Sequence, residues 1–187
     1  MELKTVYFEN PGRENTEAVL RIAKQQAEEL GINTILVAST RGDTAVRAMD
    51  VLQGLRVIIV THVTGFRAAD TQEFTEENRK IVEGKGGIIL TAAHAFSGLS
   101  RAMRNKYNMY AWGEVIADTL RIFGQGMKVA CEIPLMAADS GLVRTDEDVI
   151  AIGGTDRGAD TAVVLRPVYT HNFFDLKVKE ILCKPRF

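Results

Sequence analysis

The chain is predicted to fold as an α/β domain. It reads as a three-layer α/β/α sandwich on a mostly parallel sheet, with an antiparallel strand near the C-terminus and a helical insertion. Three observations predict it. The runs RVIIVT (56–61) and GIILT (87–91) are apolar without polar alternation, as expected of strands covered on both faces. Stretches with helical periodicity separate such runs through the first ninety residues, the rhythm of strand–helix–strand units. At 187 residues, 46% hydrophobic and 25% charged, the chain suits one domain, 1–187, with a continuous core.

Lys4 to Phe8 is rich in β formers and reads as the first strand. Asn10-Pro11-Gly12 is a turn, and Asn15 or Thr16 can cap the helix carrying Val19, Ile22, Ala23, Ala27 and Leu30 at helical spacing. Gly31 stops that helix. Thr34 to Ala38 is the second strand, followed by a short helix from Thr44 to Gln53 that ends at Gly54. After the third strand, Thr75 opens a helix that Gly84 closes, ahead of the fourth strand.

The helical insertion, about 97–141, breaks the rhythm. Val115, Ile116, Thr119, Leu120 and Phe123 form one stripe with Gly124 as a stop, and Met127 to Asp139 is a further helix that Pro134 should kink or divide. Its apolar positions can serve a core or a subunit interface, so a homo-oligomer is one expectation. Val149 to Gly153 returns to the sheet. Val163 to Arg166 follows after a connection too short for a helical crossover, so these two strands should be antiparallel. Leu176 to Leu182 reads as an added edge strand.

A net charge of -1 argues against a nucleic-acid binder acting through bulk electrostatics. The basic cluster from Arg101 to Lys106 reads as a solvated helix face. Cys131 and Cys183 belong to no CxxC pair and read as buried thiols, with a disulfide between them left open. No signal-peptide pattern and no run of about 20 apolar residues is present, so a cytoplasmic address is expected and no membrane partner.

The functional signal is a repeated loop. ILVASTRGDTAV (35–46) and IAIGGTDRGADTAV (150–163) each place small residues, hydroxyls and an Arg-Gly pair after a strand. In the first, Ser39, Thr40, Arg41, Gly42, Asp43 and Thr44 lie where a helix begins, and exposed N–H groups with the helix dipole suit an anion. Hydroxyls can donate to phosphate oxygens, Arg41 offers a bidentate fork, and Asp43 can cap the helix or grip a ligand hydroxyl. In the second, Gly154, Thr155, Asp156, Arg157, Gly158, Ala159, Asp160 and Thr161 supply the same types. The alternative is that both are tight turns satisfying their own N–H groups.

His62 and His94 each follow a buried strand, so His62, Thr64, Gly65, His94 and Phe96 should share a rim with the loops at the strands' carboxyl ends. The imidazoles can hydrogen-bond a ligand or exchange protons, and Phe66 or Phe96 can stack on a flat ring. The alternative is that each His anchors a loop. Two His with a loop Asp could also bind zinc, although no HxH or HExxH spacing supports it. No GxSxG elbow, Cys-His pairing or GxxxxGK[ST] loop is present.

ASTRGDTA and the closing GGTDRGADTAVVLRP resemble the C-terminal α/β domain of pyruvate kinase. YFENPGRENT, THVTGF, TAAHAFSG and LMAADSGLV look like a small archaeal family of free-standing proteins with that fold. The resemblance implies a ligand pocket, with flavin mononucleotide (FMN) as cofactor and phosphate at Ser39, Thr40, Arg41, Gly42 and Thr44. It does not imply kinase activity, because the phosphoryl-transfer barrel is missing. Asp43 departs from the kinase turn, where a basic residue tends to follow the glycine, which argues against fructose bisphosphate. Three functions follow as expectations: a binder of FMN or a similar phosphorylated ring, with flavin oxidoreductase chemistry if it is an enzyme; a non-catalytic sensor of a phosphorylated metabolite; and a metal-dependent hydrolase.

Overall fold

The computed structural model describes residues 2–187, among which seven strands form one sheet in the order β1-β7-β6-β5-β2-β3-β4. The strands are β1 (Val6–Phe8), β2 (Thr34–Ala38), β3 (Arg56–Val60), β4 (Ile88–Leu90), β5 (Val149–Gly153), β6 (Thr161–Arg166) and β7 (Lys177–Pro185). The helices are α1 (Thr16–Leu30), α2 (Asp43–Val51), α3 (Glu76–Gly84), α4 (Gly98–Tyr107), α5 (Trp112–Arg121) and α6 (Gln125–Asp139). Only β6 runs against the rest, antiparallel to both β5 and β7. The tail strand is not an edge. β7 lies between β6 and β1, and β1 closes that side of the sheet.

Each central strand is apolar throughout because its alternate residues face two different helix layers. Ile35, Val37, Ile59, Ile150 and Ile152 pack with Val19 and Ala23 of α1, Ala48 of α2 and Val82 of α3. Leu36, Ile58, Ala151 and Val163 pack on the opposite side with Ala130, Ile133 and Ala137 of α6. That division gives the three layers. It also settles the cysteines: Cys183 belongs to the first layer and Cys131 to the second, and both thiols are free, pushed up to about 12 by burial.

Within the insertion, α6 covers the sheet as an almost wholly buried helix. It runs through Pro134 undivided, since packing on all sides outweighs the one lost backbone bond. By contrast, α4 and α5 cover little, and Leu99, Trp112 and Ile122 stand 86%, 83% and 73% exposed. No helix is long and apolar enough to cross a membrane among the described residues.

Ile152 is fully buried at the centre of the sheet, beside the strand end that carries the second loop. Ile152→Ala should cost about 2–5 kcal/mol in urea unfolding. A loss below about 1 kcal/mol would show that the neighbouring layers collapse onto the cavity.

Candidate functional site

β2 and β5 are hydrogen-bonded neighbours in parallel, with Ile35 opposite Ile150 and Val37 opposite Ile152. The chain therefore leaves both strands at the same edge of the sheet. From there it diverges, into α2 after β2 and into the hairpin to β6 after β5, and an open sheet has its crevice at such a point. A cleft of about 1350 Å³ lies there, lined by both look-alike loops. The two loops differ in build: one starts a helix, and the other closes a β-hairpin.

In the first loop, Ser39 Oγ accepts the N–H of Ala45 at 3.2 Å and so caps α2. The next N–H, of Val46, bonds Gly42 O, which leaves those of Asp43 and Thr44 without a partner among the described residues. Gly42 has φ 105, and a Cβ there would collide with Asn78 of α3. Asn78 Nδ2 and the N–H of Thr75 both donate to Arg41 O, at 3.0 and 3.2 Å. The turn is thus fixed from beneath, while the Arg41 guanidinium is exposed at the cleft.

The second loop has no helix of its own behind it. Its anchor is the fully buried Asp160, whose Oδ2 accepts the N–H groups of Gly12 at 3.1 Å and Thr155 at 3.0 Å. Oδ1 accepts the Thr161 hydroxyl at 2.8 Å. Asp160 therefore ties the second loop to the turn before α1. Ala159 is buried, and its N–H donates to Thr16 Oγ1 at 3.0 Å. Gly158, at φ 78, lies against Arg13 and Thr16 so closely that a Cβ would strike both. Neither Ala159 nor Asp160 lines the cleft, whereas Gly154, Thr155, Asp156, Arg157 and Gly158 do.

Beyond the ends of β3 and β4, beside the first loop, His62, Phe66 and His94 form an aromatic cluster. The His62 ring centroid lies 4.4 Å from that of Phe66 and 5.2 Å from that of His94. Phe66 carries the Arg101 guanidinium 4.4 Å from its centroid. Phe96 turns away and is buried with Ala117, Leu135 and Phe173, so Phe66 is the ring that faces the cleft. Thr64 and Gly65 stay outside the lining and shape the segment behind it, Gly65 N–H donating to Thr71 O at 2.8 Å and Thr64 Oγ1 accepting from Gln72 at 3.4 Å.

The two histidines have different environments. His94 Nε2 accepts the Val63 N–H and Nδ1 faces Ser97 Oγ, each at 3.4 Å. Burial pushes its pKa from 6.5 to about 4; Glu132 pulls upward, while His62, Lys128 and Arg101 push further down. It is neutral at pH 7. His62 instead meets Glu73 through Nδ1 at 2.9 Å and Thr40 Oγ1 through Nε2 at 3.4 Å.

Several lining residues carry no signal in the two loop motifs. Arg13 enters from the turn before α1 and Arg47 from α2. With Arg41 and Arg157 they form no ion pair among the described residues, unlike Arg67, which binds Glu73 at 2.9 Å. Lys128 and Glu132 of α6 form a buried ion pair in the cleft wall, and Glu132 also accepts the Phe96 N–H at 3.0 Å. Their sequence signal was an i,i+4 charge pair inside an otherwise apolar helix. The Thr155 hydroxyl is buried without a partner. No group of three His, Cys, Asp or Glu placed to hold a metal occurs among the described residues.

Residues 17–165 match the sequence model of the family described as pyruvate kinase, alpha/beta domain. The chain belongs to that family. Among solved structures it is similar to a pyruvate kinase from Cryptosporidium parvum at 13% identity and TM-score 0.42, covering 82% of this chain and 23% of the kinase. A second structure of Cryptosporidium parvum pyruvate kinase matches at 13% identity and TM-score 0.40, with 82% and 22% covered. A third, in complex with ADP, matches at 14% and 0.39, with 80% and 22% covered. The chain thus spans less than a quarter of the kinases it matches.

Within this pyruvate kinase-type domain, His94 links stability to pH. The unfolded chain takes up a proton near 6.5 that the folded chain refuses until about 4. The stability that neutral His94 contributes is therefore complete above pH 6.5 and lost as the pH falls toward 4. His94→Gln should flatten the urea-unfolding stability over that window, removing a pH dependence on the order of 2 kcal/mol. An unchanged slope would assign the dependence to other groups.

Proposed function

We propose that the chain binds a phosphorylated, ring-bearing ligand in this cleft, with FMN as the cofactor that fits best. One observation carries the reading: two arginine-bearing loops and an aromatic cluster line a single cleft. Arg41, Arg157, Arg13 and Arg47 supply guanidinium groups that are in no ion pair among the described residues, and the free N–H groups at the start of α2 suit phosphate oxygens. The His62–Phe66 wall offers an aromatic, polarisable surface for a flat ring. At about 1350 Å³ the cleft exceeds the usual 300–1,000 Å³ of a ligand site, which leaves room for a second small molecule beside the first. When bound, FMN would supply hydride or electron transfer, and the protein would supply orientation and charge. His94 offers that ligand a neutral ring edge, and the Lys128–Glu132 pair places a fixed dipole in the wall. A cytoplasmic setting belongs to the same reading and rests on the two free thiols.

The visible spectrum of the purified protein tests this directly. A flavin spectrum, with the chromophore released into the supernatant on heating, is the expected result. A colourless protein that takes up no FMN but is stabilised by sugar phosphates would replace this reading with that of a metabolite sensor. Arg41→Ala should weaken FMN by about tenfold or more while changing riboflavin, its dephosphorylated form, far less. Equal losses for the two would remove Arg41 from the phosphate contact.

A further inference from the structure

We propose that Thr40, His62 and Glu73 form a hydroxyl–imidazole–carboxylate relay that makes Thr40 Oγ1 a nucleophile toward carboxylic esters carrying an anionic group. The inference goes beyond ligand binding and needs only the cleft, not a flavin.

Three observations support it. Glu73 Oε2 lies 2.9 Å from His62 Nδ1, so the carboxylate accepts a hydrogen bond from Nδ1–H, the tautomer that leaves Nε2 with its lone pair. That nitrogen faces Thr40 Oγ1 at 3.4 Å, a separation typical of catalytic pairs before substrate tightens them. Thr40 Oγ1 has no other hydrogen-bond partner among the described residues, so the hydroxyl is not engaged in holding the turn.

The imidazole is also held in place. Gln72 Nε2 donates to His62 O at 3.0 Å while its Oε1 accepts the Phe74 N–H at 3.0 Å, which fixes the segment presenting Glu73. Arg67 binds the other Glu73 oxygen at 2.9 Å and holds the carboxylate in orientation. Phe66 and His94 pack against the His62 ring. Thr40 itself sits between the end of β2 and the start of α2, whose dipole and free N–H groups favour negative charge developing there. The arrangement is that of an activated hydroxyl nucleophile, with threonine in the position more often held by serine.

In the reaction, Thr40 Oγ1 attacks the ester carbonyl carbon while His62 Nε2 takes the hydroxyl proton. The carbon–oxygen bond to the alcohol breaks, and His62 returns the proton to the departing oxygen. Water then attacks the acyl-threonine, giving its proton to His62 and releasing the acid as Thr40 Oγ1 recovers a proton. Arg41 and Arg157 select substrates bearing a negative group. Glu73 is a positioning residue, acting through the imidazole.

Diisopropyl fluorophosphate tests the relay on the dialysed full-length chain. Thr40 Oγ1 bonds to phosphorus, fluoride leaves, and the proton passes to His62. The expected result is one adduct per chain, mapped by peptide mass spectrometry to Thr40, absent in Thr40→Val and retained in Thr40→Ser. His62→Gln should slow labelling about 100-fold or more. Glu73→Gln should lower the maximal labelling rate about tenfold while the half-saturating reagent concentration stays unchanged, a split that mere loosening of the fold does not produce. No adduct in either the wild type or Thr40→Ser, an adduct elsewhere, or labelling indifferent to His62→Gln overturns the proposal. A colourless protein that takes up no FMN and labels at Thr40 removes the flavin reading and keeps this one; a yellow protein that, freed of flavin, does not label does the reverse.

Discussion

In a parallel sheet, chains leave neighbouring strands at a common edge, and the pairing of β2 with β5 puts residues 39–44 and 154–158 side by side although more than a hundred positions separate them in sequence. Every property of the cleft depends on that register. The strands bring the loops together through apolar contacts on two faces, so the polar residues beyond them need only meet the demands of the rim. A slip of one residue would exchange the two buried faces of either strand, which the differing helix layers do not allow.

Holding two loops at one edge is not the same as fixing their shape. The first is supported by α2 behind it and α3 beneath it. The second hangs between antiparallel strands and would be mobile without the Asp160 carboxylate, which binds a turn from the other end of the chain. Gly158 completes the arrangement by letting the loop backbone rest on the start of α1. Buried hydrogen bonds and close packing thus set the loop geometry, while the arginines above remain free to meet an anion.

Much of this could be read along the sequence. Unbroken apolar runs announced strands with two covered faces, the short link between β5 and β6 announced their antiparallel pairing, and the repeated Arg-Gly loops marked the rim. What escaped depends on contacts between distant positions. Asp160 and Ala159 share the composition of their loop but face inward, a distinction made only by Gly12 and Thr16. Phe66 and Phe96 each follow a histidine, yet the start of α4 turns the second into a core of Leu135 and Ala117. Glu73 looked like one acidic residue in a loop, because its meeting with His62 requires the intervening segment to fold back. The tail strand lies inside the sheet, as neither its composition nor its length could tell, because β1 pairs with it rather than with β2.

That placement of β1 has a consequence for biosynthesis. Its sole partner within the sheet is β7, so the segment 6–8 must wait through some 170 residues of translation before it can dock. Until then the turn at Gly12 has no stable seat beside Asp160. The cleft is therefore among the last parts of the molecule to be completed on a ribosome, and a stalled nascent chain would expose a finished β2–β3–β4 half with an unassembled rim.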